Sequence, residues 1–296
     1  MNDQPAMSRH VITAPAGVPV AVWLLLSGAL VTVIVGAVAQ GLTAAYPDVS
    51  AGRLIGLAST AMTFVLAAVV VLGARRWAQG RRLLLAGALL IAVRGVMDLG
   101  LEAYFAWWWS TDPRLQTDAE RTLLTVRAFV GGISLVTAFA LLGLGLWAAR
   151  SRPLAPTRGR LAWTAVIGTI GVVAAAGALV VAAAYASAPL DAANGVLQAM
   201  LAIQAMALAA VGIAALWCRP DVDPLPEVAI AVGVALVVAT MAWSQWFLAL
   251  VPPQDVDFAW IGWAYTLPSG LGLVGLIAMA IGFFTGRTFG AGPRAS

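Results

Sequence analysis

Long apolar runs, separated by short connections rich in arginine, make up almost the whole chain. Windows of about 20 apolar residues, enough to cross a ~30 Å hydrocarbon core, recur at 18–44, 54–74, 83–108, 122–149, 161–187, 195–218, 227–251 and 259–286. Backbone N–H and C=O groups in lipid must find partners within their own segment, so each window predicts a helix. The pattern predicts an all-α fold: a polytopic integral membrane helix bundle with eight transmembrane helices. It divides the chain into a tail (1–17), helices 1 to 4 (18–149), helices 5 to 8 (161–286) and a second tail (287–296).

The two sets of four helices carry a faint internal likeness. "LAAVVVLGAR" resembles "LAAVGIAALW", "GALLIAVR" resembles "GVALVVAT", and "GGISLVTAFALLGLG" resembles "SGLGLVGLIAMAIG". Four helices is an even number, so such repeats would share one topology and be related by an axis along the membrane normal. The second half would then be a degenerate, uncharged copy of the first. Setting "GALLIAVR" against "GVALVVAT" aligns Arg94, Asp98 and Glu102 with Thr240, Ser244 and Leu248.

Composition agrees with the hydropathy pattern. The 296 residues are 61% hydrophobic and 10% charged, with a mean hydropathy of +0.92, against roughly 25% charged in a soluble domain. All 17 basic residues are arginine, and the Ala, Gly, Val and Leu bias fits a GC-rich bacterial genome. Those arginines sit between apolar runs rather than on a soluble basic face, which argues against nucleic acid as a partner. One side of the predicted membrane collects twelve, from Arg9, Arg75, Arg76, Arg81 and Arg82 through to Arg294; the other has Arg53, Arg114 and Arg121. Positive residues stay inside, so both termini are expected in the cytoplasm of a bacterium, with the chain in its inner membrane. The first apolar run is too long for a cleaved signal sequence.

Several chemistries are disfavoured. The chain has one histidine, His10, and one cysteine, Cys218, too few for a metal or haem site built on those ligands. An eight-helix plan in two halves is similar to that of the haem A synthases, whose chemistry rests on intramembrane histidines; this chain has none, so the likeness is rejected. No cofactor is expected.

The exception to the apolar pattern is "RGVMDLGLEAYFAWWW", residues 94–109. Arg94, Asp98 and Glu102 recur every four residues and share one helix face. Arg94 is expected about 16 Å into helix 3, near the midplane, and Arg127 on helix 4 about 8 Å below the outer surface, level with Asp98 and within reach of Glu102. An unpaired charge at that depth costs on the order of 3 kcal/mol. Two readings follow: a self-neutralised clamp between helices 3 and 4, or an outward-facing polar pocket. In the pocket reading, Arg94, Asp98, Glu102 and Arg127 form a substrate or proton pathway.

Gln198, Gln204, Thr240, Ser244, Gln245, Tyr265 and Ser269 are candidates to line the same pocket, and each alone is equally an interhelical hydrogen bond. Pro268 would bend helix 8. Tryptophans 107–109, with Trp243, Trp246, Trp260 and Trp263, read as interfacial anchors. No nucleophile, metal set or phosphate loop accompanies the carboxylates, so an enzyme is not expected. The expectation is a small secondary transporter, proton-coupled, taking a small-molecule or proton substrate. The alternative is a membrane sensor or accessory subunit with a membrane protein partner.

Overall fold

A computed structural model describes residues 19–42, 50–74, 77–111, 118–149, 157–186, 192–217, 225–250 and 258–285. Some side chains near helix ends, including those of Glu102, Arg127 and Tyr265, lie outside the described residues, as do both tails. Among the described residues the fold is all helical: α1 (Val20–Leu42), α2 (Ser50–Gly73), α3 (Arg81–Thr111), α4 (Asp118–Ala148), α5 (Arg158–Ala186), α6 (Ala192–Trp217), α7 (Leu225–Leu250) and α8 (Phe258–Thr285). A 3-10 turn, Ala78–Gly80, leads into α3.

Seven of these helices are long and apolar enough to cross a membrane, and α2 contributes a shorter apolar stretch, Leu57–Gly73. This is a multi-pass membrane protein, and its outer surface is in contact with lipid. Large apolar side chains such as Trp23, Leu24 and Leu30 on α1 and Leu161, Val172 and Leu179 on α5 are exposed, as a lipid-facing surface requires. Lipid tails are as apolar as leucine, so close packing between helices, not exclusion from water, holds the bundle together.

Glycines provide that closeness. The Phe64 ring on α2 lies against Gly28 on α1 and Gly95 on α3, where an added Cβ would sit 2.9 and 3.0 Å from it. One buried ring thereby joins three helices. On α7, a Cβ at Gly233 would lie 2.5 Å from the Gly275 carbonyl oxygen of α8 and 2.6 Å from the Met279 nitrogen. Those two helices meet backbone to backbone.

The helix pairings repeat. In the first half α1 packs on α2 and α3, α2 on α3, and α3 on α4; in the second α5 packs on α6 and α7, α6 on α7, and α7 on α8. The halves join through α2 against α8 and α4 against α6. Exchanging each helix for the one four places away leaves this map of main pairings unchanged. Individual contacts follow it too. Leu84 with Gly145 has its counterpart in Ile230 with Gly282, and Gly87 with Ala138 and Leu142 in Gly233 with Gly275 and Met279. Leu142, Met279, Leu84 and Ile230 are all fully buried.

Candidate functional site

The charged stretch of α3 forms a defined contact. Arg94 Nε donates to Asp98 Oδ2 at 2.8 Å, with 17% and 13% of the two side chains exposed. Placing the cation nearer the helix N-terminus is the less favourable order for an ion pair one turn apart. Helix stability therefore gives only a weak reason for the pair.

Arg94 also reaches α4. A Cβ on Gly131 would collide with Arg94 Nη1 and lie 2.8 Å from Cζ and 3.1 Å from Cδ. The guanidinium rests on bare backbone, and glycine is the residue that leaves this space open. The neighbouring Gly132 meets Met200 of α6, 3.2 Å from where its Cβ would be. Two adjacent glycines thus admit α3 on one side of α4 and α6 on the other.

The contacts of Leu84, Gly87 and Arg94 with α4 fix an antiparallel register. It sets position 127 of α4 level with position 98 of α3, the juxtaposition expected from depth. The expected pairing of Arg127 with Glu102 concerns side chains outside the described residues.

In the second half, α7 and α8 make an uncharged contact through Thr240 and Pro268. The shift that carries Leu84 to Ile230 carries Arg94 to Thr240, and the different shift that carries Gly145 to Gly282 carries Gly131 to Pro268. There Thr240 Oγ1 donates across to Pro268 O at 2.9 Å and has an alternative acceptor in Leu236 O at 3.0 Å. Asp98 corresponds to Ser244. At this level a hydroxyl bonds α7 to α8, whereas the Arg94 guanidinium, paired within α3 to Asp98, rests on Gly131 of α4. Thr240→Val keeps the side-chain shape and removes this bond; its expected cost is about 1 kcal/mol, measured by thermal unfolding in detergent.

Thr240, Ser244, Gln245 and Ser269 lie on helices that do not pack closely on α3. Among the described residues α3 has α1, α2 and α4 as its main helical neighbours, and neither α7 nor α8 packs closely on it. Thr240 faces α8. Gln245, 7% exposed, packs by its Cβ toward Gly177 of α5, and its Oε1 has no hydrogen-bond partner among the described residues. Gln198 on α6 likewise has an enclosed Oε1 without a partner among the described residues. Gln204, Ser244 and Ser269 are half-buried, while the side chain of Tyr265 lies outside the described residues. Trp246 of the expected interfacial set instead donates Nε1 to Val173 O of α5 at 2.9 Å.

Two features escaped the sequence reading. Gly131 as the seat of Arg94 is one; its only signal was the Gly131-Gly132 pair on the helix facing the charges. The other is Glu227, buried at 3% exposure in the first turn of α7. A carboxylate there suits the positive end of the helix dipole, and Pro226 followed by an acid is a helix-start signal. Among known proteins, no family model, no curated protein and no solved structure matches the chain.

Proposed function

We propose that this chain is a small secondary transporter of a bacterial inner membrane, proton-coupled, with both termini in the cytoplasm. Its substrate or proton pathway runs past Arg94 and Asp98 in an outward-facing polar pocket between α3 and α4, with Glu102 and Arg127 on the same hairpin. The frame is a tandem pair of four-helix repeats, of which the first has the charges.

One observation carries this reading: the second half closes the equivalent helix pair with Thr240 on Pro268 O. On the repeat reading, the frame has an uncharged solution at this position. An ion pair at hydrocarbon depth is expensive, and replacing such a pair by neutral residues is often without cost or stabilising. Retaining it where the frame does not need it supports a role in moving protons or charged solute. The proposed coupling runs through the carboxylates of Asp98 and Glu102; Arg94 holds the balancing charge.

The test uses the purified full chain in proteoliposomes holding a pH-sensitive dye. Gradients of small carboxylates, inorganic anions, amines, Na+ and K+ are applied in turn. At least one gradient is expected to drive proton flux, reduced tenfold or more in the double variant R94T/D98S, which copies the second half. Flux no greater than in empty liposomes across the series would contradict the proposal.

A further inference from the structure

We infer that the pathway opens through a water-filled vestibule on the axis between the two halves, floored by apolar side chains, in which a small hydrogen-bonding solute binds. For its role this rests on the transport reading above, and it moves the mouth of the pocket from the α3–α4 seam to the centre of the bundle.

The helix pairings close a ring. α2 packs on α3, α3 on α4, α4 on α6, α6 on α7, α7 on α8 and α8 back on α2, with α1 and α5 packed against it. Among the described residues no two of the six pack closely across the ring. Packed helices lie about 8–10 Å apart, so in a regular ring of six each axis is about 9 Å from the centre. A helix with its side chains reaches only about 5–6 Å from its own axis. The centre is therefore filled or left open according to the side chains that point into it.

Those side chains change with depth. On α3 the large exposed residues Leu89, Val93 and Val96 face lipid, and the opposite face has Leu84, Ile91 and Asp98 in steps of seven. That face lies between the contact of Arg94 with Gly131 of α4 and the contact of Gly95 with Phe64 of α2, so it looks into the ring. In the half nearer the start of α1 and the end of α8, each ring helix presents a residue at most 1% exposed: Val70, Ile91, Leu142, Val211, Ile230 and Phe283. Together they make an apolar floor.

Seven or fourteen residues farther along the same stripes, toward the other side of the membrane, Thr63 stands above Val70, Asp98 above Ile91, Gln204 above Val211, Ser244 above Ile230 and Ser269 above Phe283. All five are half-buried. Polar groups enclosed in a dry apolar space lose their hydrogen bonds to water without replacement, whereas a space with several donors and acceptors holds water. Three hydroxyls, an amide and a carboxylate supply both donors and acceptors. The solute they suit is small and hydrophilic. They come from both halves, and a site shared by two repeats is one that rocking of one repeat against the other exposes in turn to each side.

The experiment maps water along the stripes. In a chain freed of its single cysteine by Cys218→Ser, cysteine is placed singly by Thr63→Cys, Gln204→Cys, Ser244→Cys and Ser269→Cys. A cationic methanethiosulfonate, present on both faces of proteoliposomes, is the probe; it reacts with thiolates, which form poorly in apolar surroundings. All four positions are expected to be blocked at least tenfold faster than Val70→Cys and Val211→Cys in the floor and Val96→Cys on the lipid face. Rates at the four positions no greater than at Val96→Cys would overturn the vestibule. Equally fast blocking at Val70→Cys and Val211→Cys would overturn the closed floor. Four positions on four helices keep the test decisive if one variant fails to fold. Fast blocking at all four in a chain that drives no proton flux on any gradient would overturn the role in transport alone, so the two readings fail separately.

Discussion

Gly233→Leu is expected to lower the stability of the bundle by about 3 kcal/mol or more, at the upper end of what overpacking costs. A Cβ there meets Gly275 O at 2.5 Å and Met279 N at 2.6 Å, and both are backbone atoms of α8. A flexible neighbour could swing away; a helix backbone cannot, so α7 and α8 must separate along their length. Gly168 on α5 is the control. Nothing lies within 4 Å of a Cβ added there, and Gly168→Leu should change stability by less than about 0.5 kcal/mol. Thermal unfolding of both variants in one detergent makes the comparison. Equal effects would mean that the α7 and α8 backbones are not in direct contact.

Asp98→Asn carries the second large effect. The substitution is nearly isosteric and leaves Arg94, still seated on Gly131, without its counter-charge. Removing one partner of a buried pair typically costs about 3 kcal/mol, most of it the penalty of the abandoned charge. Proton-coupled flux should be lost as well, because the asparagine has no proton to exchange. Thermal unfolding and the liposome assay separate the two effects. Full flux in a folded Asp98→Asn protein would remove Asp98 from the mechanism.

The helices were legible because the bilayer imposes a severe rule: backbone groups without water must bond within the segment. Their ends were less so. α2 begins at Ser50 and α4 at Asp118, each four residues before its apolar window, since polar residues can continue a helix without leaving any hydropathy signal. The link between Arg94 and Asp98 was also legible, as a spacing of four on a helix.

What joins α3 to α4 was not. Gly131 becomes the seat of Arg94 through the register between two helices, which no local pattern records. The match of Gly131 with Pro268 is similarly invisible, because glycine and proline share no side-chain chemistry. Arg94 with Thr240 could be aligned from "GALLIAVR" and "GVALVVAT", where enough flanking residues agree.

Depth and direction behaved differently. Thr240, Ser244, Gln245 and Ser269 could be assigned to the apolar spans by counting residues, and grouping them with Arg94 followed from that alone. Which way each one faces depends on how the helices pack. The structure turns Thr240 toward α8 and Gln245 toward α5, so they belong to the second half's own interfaces.

The central claim is that the Arg94–Asp98 pair is held for activity in a frame that does not require it. Its most direct test is the thermal stability in detergent of R94T/D98S against the parent chain. Stability within about 1 kcal/mol of the parent, or above it, is expected, because neutral residues remove both charges at once. A loss of several kcal/mol in the double variant would instead make the ion pair a structural clamp and contradict the account.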